Sequence, residues 1–148
     1  MKHKFVLDVN TLIFAQKYCD AKGNTDYAPA TLFLLIAQNC HKIVCDRTLR
    51  DAYLEHLSDD RFGKLLKHLL FNSEKCIFND YLPNYPFEKN LPPDDVEMVK
   101  LAVFANAVLV TSDNRLKAKI KKLNISQSHK LKVKDPTSAQ SLAEMKDP

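Results

Sequence analysis

The chain has 148 residues, 45% of them hydrophobic, and carries 22 basic against 18 acidic side chains for a net charge of +4. Length and apolar share fit a single domain spanning residues 1–148 with a sizeable core, and exclude a disordered or fibrous chain. The four cysteines, Cys19, Cys40, Cys45 and Cys76, form no CxxC pair and have no histidine at zinc-finger spacing, so reduced thiols are expected rather than structural zinc.

The opening MKHKFVLDVN reaches a polar residue after three apolar ones, too few for a signal peptide. No stretch approaches the roughly 18 apolar residues of a membrane span. The expectation is a soluble, cytoplasmic protein without a membrane partner.

In chain order, KFVL reads as a buried strand, and NTLIFAQKY as a helix that Asn10 can cap. CDAKGNTDYAP is a polar loop, and residues 30–39 are apolar for too long to be a strand, which favours a buried helix. HKIVC is a second strand, with Asp46 as N-cap of the helix RTLRDAYLEHL. The helix RFGKLLKHLLF follows, and KCIF makes a third strand.

NDYLPNYPFEKNLPP, with four prolines, breaks regular structure. Its tyrosines and Phe87 either stack on bases or pin the loop to the core. DDVEMVKLAVFANA is a helix whose acids crowd the first turn, where the macrodipole favours them. AVLVT is a fourth strand, NRLKAKIKKL a basic helix, HKLKV a fifth strand, and PTSAQSLAEM a last helix opened by Pro136. Strands separated by helices throughout predict a three-layer α/β/α sandwich around a mostly parallel sheet.

Two strands end on aspartate: Asp8 follows FVL, and Asp113 follows VLVTS. One such residue is ordinary helix punctuation, but two place carboxylates at the strand ends where open α/β sheets bind ligands. Asp94 and Asp95 start the helix before the fourth strand, and Asp51 and Glu55 share a face of the helix after the second. Acids gathered from separate segments repel one another and persist most easily around a hard divalent cation, Mg2+ or Mn2+. With no His or Cys among the candidates, zinc and copper are disfavoured.

From Asn114 to Lys134 there is no acid, while Arg115, Lys117, Lys119, Lys121, Lys122, Lys130, Lys132 and Lys134 all fall there. Such a run is either a solvated helix face or a track for phosphates. It begins two residues after Asp113, and acids beside a basic segment are what a nuclease needs.

FVLDVNTLI, RDAYLEHL, DDVEMVKLAVFANAVLVTSD and PTSAQSLAEM together resemble a PIN domain, the ribonuclease fold of VapC-type toxins and RNA-processing nucleases, over nearly the whole chain. The most specific part is Asp95, Ala102 seven residues on, and an apolar strand ending in Thr111-x-Asp113. Asp94 fits that pattern only with a shift of one residue.

The resemblance implies metal-dependent cleavage of RNA with Asp8, Asp51, Asp95 and Asp113 as catalytic acids, of which Asp8, Asp95 and Asp113 hold the metal. Asn10 and Thr111 are supporting polar groups, Glu55 and Asp94 second choices, and Arg115, Lys117 and Lys119 candidate RNA contacts. It also implies frequent homodimerisation and, for toxin members, neutralisation by a small antitoxin protein.

Two other readings compete. One is a non-catalytic RNA-binding or interaction module on the same fold. The other is a haloacid-dehalogenase-type phosphatase, on the strength of LDVNT; that motif needs a second aspartate where this chain has Asn10, and no later GD-x-x-x-D follows.

Overall fold

The computed structural model describes residues 2–144. Five strands form one parallel sheet: β1 (Lys4–Leu7), β2 (Lys42–Cys45), β3 (Cys76–Phe78), β4 (Val108–Val110) and β5 (Lys132–Lys134), in the order β3-β2-β1-β4-β5. The helices are α1 (Val9–Lys17), α2 (Ala28–Gln38), α3 (Arg47–Glu55), α4 (Arg61–Phe71), α5 (Pro93–Ala105), α6 (Asn114–Lys122), α7 (Ile125–Ser128) and α8 (Pro136–Ala143).

The strands are legible as unbroken apolar runs because the sheet is covered on both sides. Phe5, Val6 and Leu7 are fully buried, as are Ile43, Val44, Cys45, Leu109 and Val110. α5 packs on β1, β2 and β4, while α2 pairs with α1 and α8, and α8 reaches β4 and β5. Among the described residues no helix is long and apolar enough to cross a membrane.

Several boundaries differ from those read in the sequence, each for a local reason. α1 begins at Val9 and is capped by Asp8, whose carboxylate accepts the Asn10 N–H, so Asn10 lies inside the helix and is not its cap. α2 starts at Ala28 with Pro29 in its first turn, where the missing N–H costs nothing. Within the proline-rich segment, Pro86–Asn90 forms a turn of 3-10 helix closed by a capping box between Tyr85 and Glu88. The short α7 adds one turn that the sequence reading lacked. Met145, the end of the predicted last helix, lies outside the described residues.

Strand order reverses direction at β1: successive connections step outward through β2 to β3, and the next crosses back to place β4 on the other side of β1. The crevice outside the C-terminal ends of β1 and β4 is therefore the topological switch point, where a sheet of this kind opens to a ligand. Phe5 stands opposite Val108 and Leu7 opposite Val110, so the residues after each strand, Asp8 and Thr111, emerge side by side.

Candidate active site

Asp8 leaves β1 with its N–H bonded to Val110 O at 2.9 Å. Its Oδ1 accepts the Asn10 N–H at 3.1 Å, and its Oδ2 accepts the Thr111 hydroxyl at 2.7 Å. Thr111 is fully buried, and its Oγ1 also accepts the Asp113 N–H at 3.1 Å. Asp113 in turn caps α6, its Oδ1 accepting from Arg115 N and Leu116 N at 2.9 and 3.2 Å. One threonine thus ties together the two strand-ending aspartates.

The third segment is the first turn of α5, where Pro93 leads into Asp94 and Asp95. Asp8, Asn10, Asp94, Asp95 and Asp113 line one cleft of about 270 Å³. Asp8 and Asp95 are half-buried and Asp94 and Asp113 exposed; the Asp95 carboxyl is pushed above the usual range first by burial and then by Asp113, Asp8 and Asp94. Among the described residues no Lys, Arg or His forms an ion pair with these four acids.

α3 contributes Thr48, Leu49 and Ala52 to the cleft wall. Asp51 and Glu55 are exposed and do not line it, so the structure does not bring them together with Asp8, Asp95 and Asp113. Leu49 and Tyr53 are the residues α3 buries, with Thr48 and Ala52 beside them at the cleft. Helical phase carries Asp51 about 60° round from Thr48 toward solvent, whereas Glu55, seven residues on from Thr48, keeps its stripe but lies about two turns away along the axis.

Two contributors escaped the sequence reading. Glu97 lines the cleft one turn into α5 and pairs at 3.9 Å with Lys100, a buried lysine that also holds Glu88 at 3.1 Å. Its signal was its position three residues past Asp94, on the same face of α5. Tyr53, 1% exposed, donates its hydroxyl to Leu7 O, the carbonyl immediately before Asp8. A lone tyrosine on a helix carried no such message in sequence.

Arg115, Lys117 and Lys119 lie on α6, which starts at the cleft beyond Asp113. Phe87 is 6% exposed and stacks on Tyr85 with ring centroids 5.1 Å apart, so it pins the proline-rich loop to the core. The side-chain donors of the cleft are carboxylates with the Asn10 amide and the Thr48 hydroxyl, and no His or Cys lines it, an oxygen-rich chemistry that suits Mg2+ or Mn2+. Among the described residues, no group of three or more His, Cys, Asp or Glu side chains is already arranged to hold a metal ion.

No family model matches the chain, and no curated protein does. Among solved structures it is similar to a PilT N-terminus domain protein from the hyperthermophilic archaeon Sulfolobus solfataricus, with a TM-score of 0.53 over 98% of this chain and 97% of that one, at 13% identity. The fold is that of the PilT N-terminus, or PIN, domain: five parallel strands in the order 3-2-1-4-5 flanked by helices.

Proposed function

We propose that the protein is a Mg2+- or Mn2+-dependent endoribonuclease. The observation that carries this reading is the meeting of Asp8, Asp95 and Asp113, from three separate segments, in one cleft at the switch point of the sheet. Asp95, whose proton affinity is raised by burial and then by Asp113, Asp8 and Asp94, sits in a cleft whose acids have no ion-pair partner among the described residues, a setting that a cation would relieve.

Asp8, Asp95 and Asp113 would hold the ion. When bound, such an ion polarises a phosphoryl oxygen and acidifies a water. The chain's own groups do the positioning: Thr111 orients Asp8, and Tyr53 holds the Leu7 carbonyl. The cations of α6, which begins directly after Asp113, would contact the phosphate backbone. RNA cleavage should be lost in EDTA and in Asp8→Asn or Asp113→Asn, and undiminished cleavage in those variants would refute the reading.

The toxin role, with a small antitoxin partner and a homodimer, belongs to the same proposal. Expression of the chain alone should arrest growth; unaffected growth with cleavage of a specific precursor RNA would make it a processing enzyme instead.

One observation favours a second reading, a non-catalytic RNA-binding module: α3 presents Ala52 to the cleft and no acid. Calorimetric titration with Mn2+ separates the two. Salt-sensitive RNA binding without Mn2+ binding would select the module.

A further inference from the structure

At the opposite end of the sheet, where the strands begin, lies a pocket of about 230 Å³ whose charged lining is wholly basic: Lys2, His3, Lys4, Lys130 and Lys132. The remaining wall is the neutral turn Asn106, Ala107 and Val108, so no carboxylate faces these cations. All four lysines are exposed, and Lys4 Nζ donates to Ala105 O at 3.0 Å. His3 donates its backbone N–H to His41 Nδ1 at 3.0 Å, and its own Nε2 is shielded from water without a hydrogen-bond partner. The imidazole is held below its usual range by burial, then by His41, Lys132 and the N-terminal amine, a setting that an anion would offset.

Topology connects this pocket to the carboxylate cleft. β4 and β5 are parallel neighbours, so the chain between them must travel from the C-terminal rim at Asp113 back to the N-terminal rim at Lys130 and Lys132. α6 covers most of that return, its nine residues rising about 14 Å. Arg115, Lys119, Lys121 and Lys122 are exposed along it and Lys117 is half-buried. In sequence, positive charge runs without an acid from one rim of the sheet to the other; in space Lys117 faces Asp135, Asp20 and Asp26, which leaves Arg115, Lys119, Lys121 and Lys122 as the exposed cations outside that pocket.

We infer that the N-terminal-rim pocket is a second phosphate site for RNA, gripping the backbone of a strand that enters the carboxylate cleft and follows α6. This rests on RNA being the substrate, but not on cleavage itself. Each backbone contact of a single strand releases counterions and adds about 0.7 to the slope of log affinity against log salt.

The test is fluorescence anisotropy in EDTA with a single-stranded RNA of about twenty nucleotides and with a tetranucleotide. Lys130→Asn/Lys132→Gln is compared with Lys64→Gln/Lys67→Gln, which removes the same charge from exposed positions on α4. Asparagine suits position 130, whose φ is 54°. The rim pair should weaken the long RNA several-fold and lower its salt slope by at least about 0.7, leaving the tetranucleotide and the α4 pair unchanged. In parallel, the long RNA should shift the His3 ring resonances of the intact protein.

An unchanged slope in the rim pair, an equal loss in the α4 pair, or no binding of the long RNA by the intact protein would overturn the inference. Binding of the long RNA with no cleavage when Mn2+ is added would instead overturn the nuclease reading and leave the phosphate site standing.

Discussion

Thr111 Oγ1 donates to Asp8 Oδ2 at 2.7 Å and accepts the Asp113 N–H at 3.1 Å, so a single buried hydroxyl sets two acids that are far apart in sequence. Thr111→Val keeps the shape and removes both bonds. It should cost about 1–3 kcal/mol of stability through the unpaired groups. RNA cleavage should fall by about 10–100-fold, as for other groups that orient metal ligands. Thr111→Ser should retain most of the activity. Urea denaturation and cleavage rates check both, and a valine variant of wild-type activity would remove Thr111 from the site.

Asp95 makes a prediction about pH. Its folded carboxyl is raised above the ordinary value of 3.8, so between the two values the folded state holds the extra proton and stability falls as pH rises. At pH 7 the full penalty is present, and below pH 3.8 it is gone. Asp95→Asn should therefore raise Tm at pH 7 in EDTA, by a few degrees at most because the group is partly solvated, and should have no effect at pH 3. Mn2+ should raise the Tm of the intact protein and not that of the variant. Thermal melts at the two pH values decide it; an asparagine variant that melts lower at pH 7 contradicts the repulsion.

The position of α3 separates two sets of acids. Asp51→Asn and Glu55→Gln alter exposed groups outside the cleft and should leave cleavage within about twofold, since surface changes away from special features are usually mild. Ala52→Glu points a carboxylate into the cleft and should tighten Mn2+ by about tenfold, or ~1.4 kcal/mol, while lowering Tm in EDTA. Calorimetry reads the first and melting the second. Loss of cleavage in Asp51→Asn would mean that α3 turns a different face to the site.

Gly63 is a packing requirement. A Cβ there would stand 1.9 Å from Ser58 O and 2.7 Å from Ser58 C, both backbone atoms, just where Asp60 caps α4 by accepting the Gly63 N–H at 2.8 Å. Gly63→Ala should destabilise the fold by about 1–3 kcal/mol through overpacking. A shift of the urea midpoint at constant slope would show it, and an unchanged midpoint would contradict the close approach.

The sheet was legible because strands covered on both faces read as apolar runs, and its loop chemistry because Asp46, Asp113 and Pro136 mark helix starts locally. Asp8 and Asp113 could be named because they end those runs; that they meet depends on β1 pairing with β4, which no local pattern states. Asp51 and Glu55 looked apt since spacing alone shows only that they share a face. Which face points to the cleft is decided by burial of Leu49 and Tyr53 against the core. The turn at Pro86–Asn90 was hidden for a similar reason, being held by Glu88 on Lys100 and by Phe87 in the core.

The most direct test is Mn2+-dependent cleavage of single-stranded RNA by the intact protein and by Asp113→Asn. Asparagine is as good an N-cap as aspartate, so α6 keeps its start and only the charge is lost. Cleavage by the intact protein, abolished by EDTA and absent in a variant of native circular dichroism, is the predicted result. Equal cleavage by both proteins, or cleavage that survives EDTA, would contradict the assignment of the carboxylate cleft as the active site.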